Sequence, residues 1–279
     1  MAEPYRPQLS NAARPATFEV EAYNERGEMV PTSIAGEHPL TLYLDKRELV
    51  TLMTLGHAPE ALAIGYLRNQ RLVGSIEDIV VVQVDWETDS VAITTTQKID
   101  LEKRTEKRTV TTGCGQGTVY GDLMEDIDKV RLRHDLQLSD AQLFALIERV
   151  RKYETIYKRA GAVHGCALAT RDGDILMFIE DVGRHNAVDA IAGFMWLDAI
   201  DGADKVFYTT GRLTSEMVIK CAQMGIPFLV SRSGLTKMGH QIAERVGLTM
   251  IGRASGRHYL LFTGKHRLQR ALPQPTALA

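Results

Sequence analysis

The spacing of apolar positions divides the chain into two parts. Up to about residue 130 the pattern is mostly that of strands. Short segments at Phe18–Ala22, Leu40–Leu44 and Glu48–Met53 are separated by turn residues, and Ile79–Trp86 with Ser90–Thr95 reads as a hairpin. One helix interrupts them. It opens at Pro59-Glu60, where proline's missing N–H costs nothing, and runs to about Gln70. Residues 1–16 contain Pro4, Pro7 and Pro15 and read as a flexible arm. The charge-rich Lys98–Arg108 fits either an exposed strand or a linker.

The second part alternates. Ser139-x-x-Gln142 is a capping box before the strongest helix. The apolar face of that helix is Leu143, Leu146, Ile147, Val150 and Tyr157, and Gly161 ends it. Cys166–Thr170 and Ile175–Glu180 flank the turn Arg171-Asp172-Gly173-Asp174 as a second hairpin. A helix from about Asn186 to Leu197 follows. Then come strand 205–209, helix 214–224, strand 227–231, helix 236–246 and strands 248–251 and 259–262. This order predicts an α/β layer structure with a largely parallel sheet. The two βα units echo each other, Val206–Thr209 aligning with Phe228–Ser231 and Leu213-Thr214 with Leu235-Thr236. The expected organisation is an arm over 1–16, a smaller mostly-β domain over 17–130, an α/β domain over 131–270 and a tail over 271–279.

Composition supports a folded core: 44 % of the 279 residues are apolar and 24 % are charged, which excludes wholesale disorder. No apolar run reaches the ~18 residues of a membrane span, and Met1–Pro4 carries proline and charge where a secretory signal would be apolar. Only three cysteines occur, Cys114, Cys166 and Cys221, too far apart for a disulfide framework. A reducing, cytoplasmic setting is expected. The charge is segregated. Residues 217–279 hold nine Lys and Arg against the single acid Glu244, whereas residues 1–216 hold 24 against 34 acids. The basic residues are spaced rather than run together, so a small bound anion fits better than DNA or RNA.

Three places carry candidate chemistry. The loop Thr112-Gly113-Cys114-Gly115-Gln116-Gly117 sets a thiol among three glycines. That suits a sulfur presented to another molecule, though an incidental loop cysteine has the same pattern. Cys166 begins an apolar strand and Cys221 shares a helix face with Met217, Val218 and Met224, so both look structural. Glu180-Asp181-Val182-Gly183-Arg184-His185-Asn186-Ala187 lies at a strand-to-helix junction, where it fits a ligand site or a set of caps and ion pairs equally. His164, His185 and the nearby acids have no metal-ligand spacing, so no metal is expected. Third are the junctions Thr209–Ser215 and Ser231–Lys237, each with hydroxyls, a glycine and a cation beside a helix N-terminus. Phosphate binding and simple helix capping both account for them. Neither is a Walker loop.

Thr112-Gly113-Cys114-Gly115, the Glu180–Ala187 string and Gly211-Arg212-x-Thr214-Ser215-x-Met217-Val218 together resemble the FdhD family, as do Glu37-His38-Pro39-Leu40 and Leu62–Leu67. These are formate dehydrogenase accessory sulfurtransferases, and the resemblance spans about residues 17–267. It implies a C-terminal part with a cytidine-deaminase-like α/β fold, and a homodimer that binds Mo-bis(molybdopterin guanine dinucleotide), for which GDP is a partial mimic. It also implies a loop cysteine, here Cys114, that takes sulfur as a persulfide from a cysteine desulfurase and passes it to that cofactor for the formate dehydrogenase catalytic subunit. The implied cofactor contacts are Phe262, Thr263, Gly264, Lys265, His266 and Arg267, together with Gly211, Arg212, Thr214, Ser215, Ser231 and Ser233. No zinc, nucleic acid or membrane is implied.

The chain departs from the family pattern in three places. The loop usually reads C-x-x-C, and here Gly117 takes the second position. One thiol still suffices for a persulfide relay, but a resolving partner is lost. Ala190 follows Asp189 where the family has lysine, and Ser233-Gly234-Leu235-Thr236 replaces Ser-Ala-Pro-Thr. These changes leave room for an alternative, a non-catalytic chaperone that binds the cofactor without transferring sulfur. A nucleoside deaminase is excluded by motif: His164-Gly165-Cys166 lacks the glutamate of H-x-E, and no P-C-x-x-C follows.

Overall fold

The computed structural model describes residues 5–97, 109–110, 117–118, 127, 129–153 and 155–270. Its first part contains β1 (Gln8–Leu9), β2 (Thr17–Tyr23), β3 (Met29–Ala35), β4 (His38–Leu44), β5 (Arg47–Thr54), α1 (Pro59–Asn69), β6 (Ile79–Asp85) and β7 (Ser90–Thr95). Leu40, Leu42 and Leu44 alternate with more exposed residues along β4, so one face of its sheet is apolar and covered by α1. The strand order is β1-β6-β7-β4-β5. β2 and β3 form a separate ribbon, with Pro31 at an unpaired edge where its missing donor costs no ladder bond. That proline hides β3 from a periodicity reading.

Residues 5–14 are not the loose arm their prolines suggest. β1 pairs in parallel with β6, and Pro7 is buried. Ser10 Oγ and Ala12 N donate to Glu60, and Trp86 Nε1 donates to Ala12 O. Proline's fixed backbone suits such an edge strand.

In the second part β8 (Thr109–Val110) pairs with β9 (Gly117–Thr118), and Cys114 between them lies outside the described residues. There follow β10 (Leu138–Ser139), α2 (Asp140–Tyr153), α3 (Ile156–Ala160), β11 (His164–Ala169), β12 (Ile175–Asp181), α4 (Arg184–Leu197), β13 (Val206–Thr209), α5 (Ser215–Gln223), β14 (Phe228–Ser231), α6 (Lys237–Val246), β15 (Thr249–Ser255), β16 (His258–Leu261) and β17 (Leu268–Gln269). The capping box forms as expected, Gln142 N donating to Ser139 Oγ at 3.2 Å and Ser139 N to Gln142 Oε1 at 2.9 Å. The helix does not run to Gly161. Glu180 takes the amides of Thr155, Ile156 and Tyr157, which a continuing helix would have bonded to the preceding turn, and so starts α3 afresh.

The main sheet has the order β12-β11-β13-β14-β15-β16. Only β13, β14 and β15 are parallel; tight turns join β11 to β12 and β15 to β16, and a tight turn permits only antiparallel pairing. The sheet is therefore mixed rather than largely parallel, and the fold class is α/β. One core cluster runs from the leucines of β4 through α1 and α4 to Leu229 and Met250. A second lies on the opposite face of the main sheet, under α2. The two parts meet where α1 crosses α4. A Cβ built on Gly65 would lie 1.6 Å from Asp189 O, and one on Gly193 would lie 1.9 Å from Ala61 O, so only glycine permits this approach.

Candidate functional site

The carboxyl ends of β13 and β14 and the start of β11 reach the same edge of the main sheet, the place where open α/β sheets hold ligands. The two following loops brace each other. Ser231 Oγ donates to Gly211 O at 2.7 Å, Leu213 N to Gly234 O at 3.0 Å and Thr236 N to Leu213 O at 3.1 Å. Their helices differ in one respect. Thr236 caps α6, its hydroxyl accepting from Gly239 N at 3.2 Å. Thr214 holds the equivalent position before α5 but makes no cap bond, and among the described residues its buried Oγ1 has no hydrogen-bond partner. The positive end of α5 thus lacks the side-chain acceptor that α6 has.

Cations gather at this edge. Arg212 and Arg232 are exposed on the two loops, and the Arg232 guanidinium stacks on Tyr157 at 5.1 Å. Arg184, at the start of α4, is buried, with its stem against Gly211; a Cβ on Gly211 would lie 2.6 Å from Arg184 Cδ. His164 stands half-buried among them, Nδ1 3.3 Å from Thr210 Oγ1. Burial, reinforced by Arg184, Arg232 and Arg212, holds this imidazole below the usual histidine range. Arginines around a helix N-terminus bind phosphate through paired charge-assisted hydrogen bonds.

The Glu180–Ala187 string proves largely architectural. Asp181 accepts from Thr54 Oγ1 (2.6 Å), Leu55 N (3.1 Å), Gly183 N (3.0 Å) and Asn186 Nδ2 (2.8 Å), and Asn186 Nδ2 also reaches Met53 O. These bonds fasten the end of β5 to the start of α4. His185 and Glu216 face each other at 3.3 Å, while Lys220 contacts Asp189 at 2.8 Å and Glu216 at 3.6 Å. All four are buried, and Asn69 completes the set by donating to Asp189 at 2.6 Å. This polar chain locks α1, α4 and α5 together beneath the arginines.

From residue 35 to residue 269 the sequence matches the family model described as the FdhD/NarQ family. The chain belongs to the FdhD/NarQ family. Among its relatives, the sulfur carrier protein FdhD of Wolinella succinogenes is 31 % identical over 83 % of this chain and 81 % of its own length. The protein of that name from Listeria monocytogenes serotype 4b is 29 % identical over 90 % of this chain and 95 % of its own. A crystal structure from Desulfotalea psychrophila, assigned as a formate dehydrogenase accessory protein, superimposes with a TM-score of 0.74 at 25 % identity. It covers 91 % of this chain and 100 % of the other.

Against this FdhD/NarQ fold the expected contacts separate into two groups. Gly211, Arg212, Thr214, Ser215, Ser231 and Ser233 come together at the strand ends, although Ser231 is buried and its hydroxyl is committed to Gly211 O. The C-terminal segment is different. Phe262 lines a cleft of about 380 Å³ with Thr236, Lys237, His240 and Arg253, and Lys265 and His266 are exposed. Thr263 and Arg267 are not available to a ligand. Thr263 Oγ1 donates to Leu248 O and accepts from Met250 N, while the Arg267 guanidinium is buried against Gly247 O, Thr249 Oγ1 and Arg133 O. Gly264, at φ 72°, leaves no room for a side chain, since a Cβ there would lie 2.2 Å from Thr249 Oγ1. These three residues hold the segment in place.

Burial pushes the Cys166 thiol up to about 12 and raises that of Cys221 as well, so neither is a ready nucleophile. Gly117 is a ladder residue opposite Val110. Arg232, the cation of the Ser231–Lys237 junction, joins the cluster from the second loop. One residue emerges that the motif reading left aside. His57, held below its ordinary range by burial against the opposing pull of Asp181 and Glu180, has a buried Nδ1 without a hydrogen-bond partner among the described residues.

Proposed function

We propose that this chain is a sulfur carrier serving formate dehydrogenase. Cys114 takes sulfur from a cysteine desulfurase and delivers it to Mo-bis(molybdopterin guanine dinucleotide), cargo that the chain hands to the apoenzyme. In the first step the Cys114 thiolate attacks the outer sulfur of the donor's persulfide. The donor's S–S bond breaks, a new S–S bond forms at Cys114, and the donor cysteine leaves as thiolate, so no external oxidant is needed. The observation that carries this reading is the thiol inventory: within a family whose relatives are named sulfur carriers, Cys166 and Cys221 are sealed in the core with raised thiols, which leaves Cys114 for the chemistry. The arginines and the uncapped end of α5 supply a seat for a guanine dinucleotide pyrophosphate. Action in the cytoplasm as a homodimer belongs to the same reading.

The test is complementation. In cells lacking this protein, the wild type restores formate dehydrogenase activity and Cys114→Ala does not, whereas Cys166→Ala does. Gly117 favours a second reading, a carrier that holds the cofactor without transferring sulfur. Full restoration by Cys114→Ala would select it.

A further inference from the structure

The cleft beside α6 holds two cations that the reading above does not use. Arg253 and Lys237 line it together with His240 and Phe262, and no carboxylate stands among the described lining residues. His240 faces Glu244 at 3.7 Å. Neither the Arg253 guanidinium nor the Lys237 ammonium makes a hydrogen bond or ion pair among the described residues. The backbone sets Arg253 in place. It sits at φ 51°, in the left-handed region that residues other than glycine seldom adopt. The ladder of β15 with β16 is irregular between Gly252 and Ser255, and the Arg253 amide donates to Ser233 O at 2.9 Å. A bulge of this kind re-aims a side chain. Gly252 leaves bare backbone beneath the aromatic ring, since a Cβ there would lie 3.0 Å from Phe262 Cε2 and 3.2 Å from Ser233 O. The result is an aromatic wall beside an exposed, uncommitted guanidinium.

The cleft is not the better place for phosphate. Thr236 already caps α6, whereas the end of α5 is uncapped. The two places adjoin, because Leu213, just before Thr214, bridges to Leu235 in the cleft lining. Bridged backbones lie about 4.8 Å apart, so a nucleotide with its diphosphate at α5 has the cleft within reach of its base. An aromatic face beside a paired donor suits a purine. We propose that Arg253 selects guanine, donating to O6 and N7 of a base stacked on Phe262. The proposal rests on the reading of the strand ends as a diphosphate seat, and it adds the residue that reads the base. Guanine presents two acceptors on that edge, whereas adenine presents N7 beside an amino donor. A guanidinium has donors only, so adenine would set donor against donor. Lysine would match the charge and lack the fork.

The experiment is calorimetric titration of the full chain with GDP, 7-deaza-GDP, ADP and inorganic pyrophosphate, for wild type, R253Q, R253K and R253G. Wild type should prefer GDP to ADP by about ten- to a hundredfold, the worth of one paired arginine–guanine contact. The 7-deaza compound keeps O6 and has carbon at position 7, so it should fall between them. All three variants should bind GDP about as weakly as ADP, and should bind pyrophosphate as the wild type does. R253G relieves the positive φ, so a lost preference there does not come from a strained backbone. Wild type that binds GDP no better than ADP or 7-deaza-GDP, or variants that keep the preference, would overturn the proposal and leave the diphosphate seat standing. Equal losses of GDP and pyrophosphate in R253Q would make Arg253 a phosphate contact and overturn it as well. Binding of neither GDP nor pyrophosphate by wild type would overturn the seat and the proposal together.

Discussion

At the scale of single residues, sequence motif and structural role coincide at some positions and part at others. Arg212 was legible because its junction repeats in Arg232, and the structure puts both on one sheet edge. Removing its guanidinium should weaken GDP binding by about 1–3 kcal/mol, the usual cost of a lost charge-assisted hydrogen bond. Raising salt should weaken wild-type binding as well. Titration in low and high salt checks both, and binding indifferent to each would remove this edge from the site. Arg267 was misread, because nothing in a basic segment marks which arginine turns inward to cap carbonyls. Arg267→Ala should lower stability by about 2–4 kcal/mol, since it orphans buried acceptors. GDP affinity should hold well below the melting temperature, which chemical denaturation beside the same titration would establish.

At the scale of elements, the strands and helices could be read from periodicity almost throughout, and the exceptions have physical causes. β3 is obscured by an edge proline, and α3 is split from α2 by a carboxylate from a strand that comes later in the chain. Contacts of that range leave no local trace. The crossing of α1 and α4 is of the same kind. Gly65 reads as an ordinary glycine in a helix, yet a methyl group there meets Asp189 O, so Gly65→Ala should destabilise by about 3 kcal/mol or more despite alanine's better helix propensity. An unchanged melting temperature would mean that the helices do not touch.

The buried charges on these helices also set a pH dependence. Burial holds His185 down to about 3, against an ordinary 6.5, with Glu216 opposing. The unfolded chain therefore takes a proton in this window that the folded chain refuses. The contribution is intact above about pH 6.5 and is lost progressively as pH falls toward 3. His185→Gln should flatten the fall in melting temperature between pH 6.5 and 5. An equally steep fall in the variant would assign the slope to other groups.

For the molecule as a whole, the charge asymmetry read from the sequence acquires a location. Part of the basic surplus after residue 216 stands at the strand ends and in the cleft beside α6, through Arg232, Lys237 and Arg253. The buried polar chain of His185, Glu216, Lys220 and Asp189 ties this edge through Asn69 to α1 of the first part, and Asp181 ties it to the end of β5, so the two parts share one connected core. The sulfur chemistry proposed for this chain turns on Cys114, and one measurement tests that most directly: the intact mass of the purified protein after incubation with a cysteine desulfurase and cysteine. The wild type should gain about 32 Da, one sulfur atom as a persulfide. Cys166→Ala and Cys221→Ala should gain the same and Cys114→Ala nothing, whereas an adduct that persists in Cys114→Ala would contradict the assignment.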